Sequence, residues 1–585
     1  MHYSLLAETY EKVEKTTKRL EMTDYLVELF KHTPKDVVEK VAHLTIGELY
    51  PPFRGIELGI AEKLAIKSVA IATGKTEKEV VEDYKRTGDL GATVEGILSE
   101  RAQATLTRVP LTVEQVYDTF DKIAHATGAG SQEFKIRSLA GLISNASPKE
   151  AKYIVRMAIG KLRLGIADMT VLDALAIAYA GGKEFRGDIE RAYNLSSDLG
   201  YVAKTLAKGG IEAIRKFKVT LGRPIRPQLA ERLSSLEEIM EKLGGIGSCE
   251  YKYDGLRIQA HVSKGEVQLF SRRLENITHQ FPDVVKELKE GIRVEEAIVD
   301  GECVPVDSNT GELLPFQVVA HRRGRKYDVE KMIEEVPVTF FLFDVLYVDG
   351  GDLTLAPYPE RRRMLEKIVA ETDRLRIAEY RVLKDEREIE KFFEKSVQEG
   401  TEGLIIKSVS PDSFYEAGKR GFQWIKWKRS YRSEMRDTVD LVAVGAFAGR
   451  GKRAGTYGAL LMAAYDPDED VFKTTCKLGT GFTDEDLARL PEIFKPYLID
   501  HRHPRINSLI EADYWFMPAK VLEVIGDEIT LSPLHTCGFN LIREGSGLAI
   551  RFPRLVKFRE DRAPEDATTV KEIVGMYKSQ LKIVR

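Results

Sequence analysis

The apolar residues of this chain change their period across "KVTLGRPIRPQLA" (218–230), and a single bundle or sheet cannot absorb both halves. Before that stretch they recur at helical spacing and prolines are few. In "YIVRMAIGKLRLGIAD", Ile154, Val155, Ala158, Ile159 and Leu162 fall on one face of a predicted helix. After it, alternation of period two begins. Leu256, Ile258, Ala260 and Val262 share a face, Lys264 and Gly265 make a turn, and "EVQLFSRR" returns as the second arm of a hairpin. The closely set Gly and Pro between the halves read as a linker. A chain of 585 residues is also too long for one core, so several domains are expected.

Within the first part, "HTPKD" and "NASPKE" read as helix starts, with Ser147 as N-cap and Pro148 at the first helical position. The middle part carries further strands in "EEAIVDGECVPV", "VTFFLFDVLYV" and "EGLIIKS", the second apolar on both faces and hence central. Helical stretches such as "RRRMLEKIVAET" separate them, which makes this part α+β. Beyond about residue 430, short strands with Gly-rich turns suit a small barrel, and a last helix starts near Ala567 to Thr569. These readings place an all-α region at 1–217, an α+β region at 218–430 and a β-barrel with a C-terminal helix at 431–585.

Composition excludes several classes. A 43% hydrophobic content rules out wholesale disorder, and no apolar run approaches the length that crosses a bilayer. "MHYSLLAETYEKVEKTTKRL" alternates acidic and basic residues without an apolar leader core, so a cytoplasmic, intracellular location is expected. Cys249, Cys303, Cys476 and Cys537 lie far apart with no CxxC pair, and we read them as thiols rather than zinc ligands or disulfides. The net charge of −3 announces no polyanionic partner, yet "KRGFQWIKWKRSYRSEMR" (419–436) sets seven basic side chains against one acidic.

The chemistry is expected at "EYKYDGLR" (250–257), where Lys252 sits between two tyrosines on a strand that turns at once through Asp254 and Gly255. An unperturbed lysine amine is neutral in about one molecule in several thousand at pH 7, so a reactive one must have its pKa lowered. Tyr251 and Tyr253 as apolar walls, and Arg257, Lys426 and Lys428 as neighbouring cations, would do this. Alone, the tetrapeptide would read as an edge-strand lysine with its head in water.

It does not stand alone. "EYKYDGLR" (250–257), "SRRLENIT" (271–278), "VDGECV" (299–304), "FFLFDVLY" (340–347), "EGLIIK" (402–407) and "WIKWK" (424–428) resemble, in order, motifs I, Ia, III, IIIa, IV and V of the ATP-dependent DNA ligases. That family belongs to the covalent nucleotidyltransferases, with the RNA ligases and capping enzymes. The resemblance implies that ATP adenylates Lys252, that Glu250 reads the adenine amino group and that Phe343 stacks on the base. Arg257, Arg272, Lys426 and Lys428 would neutralise phosphate charge, and Arg420 aligns with a further nucleotide contact. Strand alternation puts Trp424, Lys426 and Lys428 on one face and Ile425 and Trp427 on the other. Glu302 and Glu402 match the family's metal-associated glutamates, which would hold Mg²⁺ or Mn²⁺, although Glu302 could instead meet the ribose.

"FREDRAPEDATT" resembles motif VI, with Arg559, Glu560, Asp561 and Arg562 where the family pattern is RxDK, so a planar guanidinium replaces an ammonium at 562. "IGKLRLGIADMTVLDALA" (159–176) resembles a block of the DNA-binding domain of archaeal and eukaryotic-type ligases, with Lys161 and Arg163 as candidate phosphate contacts on a helix. The implied architecture is a helical DNA-binding domain, an α+β adenylation domain and an OB-fold β-barrel. The implied activity is nick sealing in duplex DNA by a monomer. An RNA ligase or capping-type transferase shares the lysine chemistry but not the helical region. The zinc-binding cysteines of NAD-dependent ligases are missing, and so is any gap among Lys252, Glu302, Glu402, Lys426 and Lys428 that would mark an inactive scaffold. "GAFAGRGKRAGT" (445–456) misses the P-loop spacing and reads as a barrel turn. "QATL" (103–106) resembles the glutamine-led peptide with which such ligases grip a sliding clamp, but lacks its aromatic pair.

Overall fold

The computed structural model describes residues 1–101, 110–306, 313, 316–320, 322, 332–333, 336–428, 435, 437–449, 455–526, 528–551 and 553–582. The "QATL" segment and residues 450–454 of the glycine-rich stretch therefore lie outside the described residues. The chain divides into two compact units, Met1–Trp427 and Lys428–Arg585.

The first unit opens with helices from Tyr3 to Arg215 around one apolar core that includes Leu26, Phe30, Phe120, Tyr153 and Leu172. Ser147 caps the helix Pro148–Ala158 reciprocally: Glu150 N donates to Ser147 Oγ at 3.4 Å and Ser147 N to Glu150 Oε2 at 2.8 Å. "HTPKD" instead makes a turn, with Val37 N and Val38 N donating to Pro34 O, before the helix Val38–Ile46 begins. The expected helix does not continue past Ala158. Gly160, Arg163 and Gly165 have φ of 66°, 60° and 71°, so residues 159–167 form a loop. Leu162 and Leu164 still bury themselves from it, which is why the apolar pattern imitates a helix. Lys161 and Arg163 accordingly sit on a loop, where Lys161 Nζ pairs with Glu62 Oε1 at 2.5 Å and Arg163 Nη1 donates to Gly88 O at 3.2 Å.

Residues 218–230 mark the change of period but are packed rather than free. Ile225 and Gln228 are fully buried. Gly222 N donates to His261 Nδ1 (3.0 Å), Ile225 N to Gln259 Oε1 (2.7 Å) and Gln259 Nε2 to Ile225 O (3.1 Å). On the helical side, Ser197 Oγ donates to Pro224 O (2.6 Å) and Arg226 N to Asn194 O (2.8 Å).

The strands that follow are β1 (Leu229–Arg232), β2 (Gly247–Tyr251), β3 (Leu256–Ser263), β4 (Glu266–Ser271), β5 (Glu296–Pro305), β6 (Val338–Val348), β7 (Gly351–Asp352), β8 (Leu375–Ile377), β9 (Tyr380–Leu383), β10 (Gly403–Lys407) and β11 (Arg420–Lys428). They form two sheets, one in the order β1-β11-β10-β2-β9 and the other β4-β3-β5-β6-β7, with β8 also on β6. The β3–β4 hairpin turns at Lys264 and Gly265, both at positive φ, as a two-residue turn between right-twisted strands requires. Leu256, Ile258, Ala260 and Val262 bury against Val299, Phe340 and Leu342 and against the helices that carry Leu288 and Leu365. Tyr251, Tyr253, Leu404, Ile425 and Trp427 form the core of the other sheet, with Phe392 and Phe393. A third cluster joins Leu195 of the helical region, Ile225, and Ile298, Leu346, Tyr415 and Trp424 of the sheet region.

In the second unit β12 (Val439–Ala448), β13 (Tyr457–Asp466) and β14 (Val471–Leu478) form an antiparallel meander. The far edge of β12 changes partner along its length. Val439–Val442 pair with the strand Val521–Ile525, and Gly445 and Ala446 with the strand Tyr514–Phe516, and on the opposite edge the pairing with β13 breaks register between Ala443 and Gly445. The break curls the sheet, as a small barrel needs. The last helix, Val570–Lys582, starts at a Thr569–Glu572 capping pair and buries Ile573 in this core. All four cysteines are buried thiols, and no helix among the described residues is long and apolar enough to cross a membrane.

His261 ties residues 218–225 to β3 in its neutral form, with Nδ1 accepting from Gly222 N and Nε2 donating to Gln259 Oε1 at 3.0 Å. Burial lowers its pKa from 6.5 to about 3. A depressed histidine favours the folded state above its unfolded pKa, and that contribution is lost as the pH falls from 6.5 through about 3. Protease cleavage within 218–225 is expected to accelerate across that fall in pH, and less steeply in His261→Gln. Mass mapping of the fragments measures both.

Candidate active site

Strand β2 ends at Tyr251, and the pairing of β2 with β10 continues one step further. Lys252 N donates to Gly403 O at 2.8 Å and Glu402 N to Lys252 O at 2.9 Å. Tyr251 and Tyr253 both point into the core, Tyr253 stacked on Phe341 at 4.1 Å and Tyr251 against Phe392 at 5.0 Å. The lysine between them therefore faces the other way. The chain then crosses to the second sheet through Gly255, where a Cβ would lie 2.4 Å from Cys303 O, so only glycine allows the approach to β5.

On that side Lys252 Nζ meets Glu402 Oε2 at 2.5 Å. Glu302 sits on β5 opposite Arg257, and Asp254 accepts a bond from Phe316 N at 3.2 Å. Burial, and then the neighbouring acids, push Asp254 up to about 6 and Glu302 up to about 7. These charges correct the expectation that the resting amine is neutral. Burial pulls the Lys252 pKa down, but Glu402, Glu302 and Asp254 outweigh it, so the net shift is upward and the ammonium is favoured. Of the expected cationic neighbours, Arg257 is engaged elsewhere, and Lys426 and Lys428 lie on β11, which β10 separates from β2.

The Arg257 guanidinium donates to Asp300 Oδ2 (2.8 Å), Gln228 O (2.7 Å) and Tyr415 OH (3.2 Å), 5.3 Å from the Phe343 ring and 5.5 Å from that of Trp424. Arg272, exposed just after β4, lines the same narrow cleft as Arg257 and Asp300. Glu250 is buried, with Lys407 Nζ at 2.6 Å from Oε2, the Tyr358 hydroxyl donating to Oε1 and Arg362 Nη1 at 3.6 Å. Phe343 meets Trp424 edge to face at 5.9 Å, and Lys407 Nζ lies 4.3 to 4.9 Å from the rings of Trp424, Tyr358 and Phe343. Lys426 and Lys428 alternate with buried Ile425 and Trp427, as the pattern requires. Arg420 begins β11 as an exposed residue in register with Leu229, apart from the groups just described. In the second unit Arg559 binds Asp440 (3.0 Å) and Asp561 (2.8 Å), and Arg562 lies 3.4 Å from Asp440, so the motif VI arginines are held by carboxylates of their own unit.

Asp254, Asp300, Tyr358, Arg362, Lys407 and Tyr415 complete this arrangement without having been singled out as site residues. Asp254 and Asp300 stood inside quoted motifs, whereas Tyr358 and Tyr415 carry no local signal. The carboxylates around Lys252 offer hard oxygen donors of the kind Mg²⁺ prefers. Among the described residues no group of three or more His, Cys, Asp or Glu could hold a metal by itself.

Three family models match the chain: "DNA ligase N terminus" over 2–176, "ATP dependent DNA ligase domain" over 227–428 and "ATP dependent DNA ligase C terminal region" over 453–562. "DNA ligase 2" of Thermofilum pendens is 57% identical, covering 99% of this chain and 98% of that protein. "DNA ligase" of Staphylothermus marinus is 52% identical over 100% and 99%, and "Probable DNA ligase" of Aquifex aeolicus 50% over 100% and 99%. The solved structure of Pmar-Lig_PreS3 shares the fold at a TM-score of 0.56 and 17% identity, over 95% of this chain and 99% of that one.

Because Glu402 leads the groups that keep Lys252 protonated, Glu402→Gln leaves burial less opposed and lowers the lysine's pKa. Reductive methylation of the ligand-free protein at about pH 8, below the ordinary lysine pKa, is expected to modify Lys252 faster in Glu402→Gln than in the parent. Peptide mass spectrometry follows the two rates.

Proposed function

The chain belongs to the ATP-dependent DNA ligases, enzymes that seal nicks in DNA, and we propose that Lys252 is the residue that carries AMP in its reaction. The observation that supports this most is the amine itself, set apart from its two buried tyrosine neighbours and held 2.5 Å from Glu402. In the first step Lys252 Nζ attacks the α-phosphorus of ATP, the bond to the bridging oxygen breaks, and pyrophosphate leaves with that electron pair. In the second, an oxygen of the 5′-phosphate at the nick displaces the lysine and takes the AMP. In the third, the 3′-hydroxyl attacks that 5′-phosphorus, and AMP departs as the phosphodiester forms.

The amine must lose its proton before it attacks. The three carboxylates around it keep the proton on and burial works to remove it, so neutralising the carboxylates frees the amine. Glu302 and Glu402 are the residues that would hold a divalent cation, Mg²⁺ or Mn²⁺, which when bound draws charge from the phosphate oxygens. We assign Arg257, Arg272, Lys426 and Lys428 to the polyphosphate and its developing charge, Phe343 and Glu250 to the base, and Arg420 to an outer nucleotide contact. The helical region 1–217 is assigned to the DNA backbone, 218–430 to adenylyl transfer, and 431–585 to closing on nucleotide and then on DNA through Arg559 and Arg562. The enzyme would act inside the cell as a monomer, with a sliding clamp as a further partner.

Protein incubated with ATP labelled at the α-phosphate and then denatured is expected to retain covalent label, and Lys252→Ala to retain none. A chase with nicked duplex DNA releases the label as AMP, while nicked RNA leaves it bound. Lys426→Ala is expected to slow label uptake by about 10²–10³-fold, the usual cost of removing one group that stabilises transition-state charge. Retained label in Lys252→Ala overturns the assignment.

A further inference from the structure

Two buried tyrosines stand behind the nucleotide residues, and a buried ion pair holds both. The Arg361 guanidinium grips Asp344 with two bonds, of 2.8 and 3.0 Å, and neither side chain has any exposure. Its remaining amino group donates to Ala356 O (2.7 Å) and Ser413 O (3.0 Å), which fixes the loop that carries Tyr415. The same guanidinium lies 5.7 Å from the ring centres of both Tyr358 and Tyr415. Tyr358 is pinned again through its backbone, whose N–H meets Ser413 O (2.9 Å) and Ser413 Oγ (3.0 Å).

Each tyrosine ends on a different carboxylate. The Tyr415 hydroxyl donates to Asp300 Oδ2 at 2.8 Å, and Asp300 holds Arg257. The Tyr358 hydroxyl donates to Glu250 Oε1, with Ser248 Oγ 3.4 Å from the same hydroxyl. Glu250 is thus met by a phenol on one oxygen and by the Lys407 ammonium, at 2.6 Å, on the other. The groups just named are all donors to it, so it is held as an acceptor, and Lys407 Nζ beside it is a donor. An acceptor next to a donor complements the amino group and adjacent ring nitrogen of adenine. The edge of hypoxanthine or guanine reverses both, bringing a carbonyl oxygen to the carboxylate and an N–H to the ammonium.

We infer that Tyr358 is a positioning residue for base selection: by holding Glu250 in place and in its acceptor form, it sets the preference for an adenine donor over a 6-oxopurine one. The inference rests on the reading of Glu250 as the group that meets the base. The hydroxyl is the only atom that Tyr358→Phe removes, and the ring keeps its packing and its place beside Arg361.

The test measures the efficiency of lysyl adenylation or inosinylation with ATP and with ITP, by intact-protein mass spectrometry, for the parent, Tyr358→Phe, Glu250→Gln, the double variant and Tyr415→Phe. A site that loses a buried hydrogen-bond partner discriminates less sharply, so Tyr358→Phe is expected to lower the ATP:ITP efficiency ratio about tenfold, mainly through KM for ATP. If Tyr358 acts through Glu250, adding Tyr358→Phe to Glu250→Gln lowers the ratio no further. Tyr415→Phe removes the same atom from an equally buried ring, and is expected to slow both nucleotides without changing the ratio. Thermal midpoints of all variants keep loss of fold separate from loss of selection. An unchanged ratio in Tyr358→Phe, beside a changed one in Glu250→Gln, overturns the inference and leaves the base reading standing. So does an equal shift in Tyr415→Phe, which would make the effect a general one of buried phenols. An unchanged ratio in Glu250→Gln overturns the base reading, and this inference falls with it.

Discussion

Two backbone hydrogen bonds, from Lys252 N to Gly403 O and from Glu402 N to Lys252 O, carry the β2–β10 pairing one step beyond the sheet, and the site follows from them. They fix the lysine opposite the glutamate. Because successive side chains on an extended chain point to opposite faces, burying Tyr251 and Tyr253 leaves Lys252 no choice of direction. A slip of one residue would send the tyrosines out and the ammonium into the core. The phenylalanines behind the tyrosines therefore help to aim the amine.

The electrostatics around that amine run opposite to the simplest expectation for a nucleophilic lysine. Three carboxylates share one ammonium where burial penalises every unpaired charge, and two of them answer by shifting toward their neutral forms. Arg257 offsets part of this at Glu302, but its own hydrogen bonds go to Asp300, Gln228 and Tyr415. The resting pocket is therefore short of positive charge, and the proton on Lys252 is part of what makes up the shortage. A ligand that brought cations to these carboxylates would do two things at once: satisfy them and weaken what holds the proton on Lys252. If Lys252 carries AMP as proposed, this would link its deprotonation to the loading of substrate.

How much of this could be read beforehand depended on whether a residue's job lies in its own strand. Lys252, Gly255, Glu302 and Glu402 sit in short runs where period-two alternation and a turn already limit the geometry, and the ends of β2, β5 and β10 stand close to where they were expected. The hairpin at Lys264 and Gly265 and the cap at Ser147 were legible for the same reason, being local chemistry. Tyr358, Arg361 and Tyr415 were not. The carboxylates they bind lie 17 to 115 residues away in sequence, and a tyrosine on an amphipathic helix looks the same whether or not its hydroxyl ends on a buried carboxylate. The helix drawn through 159–167 failed because apolar side chains reaching inward from a glycine-bracketed loop can copy helical spacing without helical dihedrals.

The segment expected as a linker is packed rather than free, and that ties the helical region to the sheets. Residues 224–228 and 415–418 bond both to the helical region and to the group around Arg257 and Asp300. Asn194 Nδ2 donates to Ala417 O at 2.8 Å, and a Cβ on Gly418 would lie 2.5 Å from Asn194 Oδ1. Three residues before Gly418, Tyr415 donates to Asp300, and Gln228 gives its N–H to Tyr415 and its carbonyl to Arg257. Swinging the helices off the sheets would strip several of these buried partners, at about 1–3 kcal/mol for each group left unsatisfied. It would also loosen the residues that place Arg257. The division between compact units falls instead between Trp427 and Lys428, at the last residue of the strand that carries Lys426. The Asn194, Gln228 and Tyr415 bonds all lie within the first unit, so the packing of the helices on the sheets and the placing of Arg257 are one piece of structure.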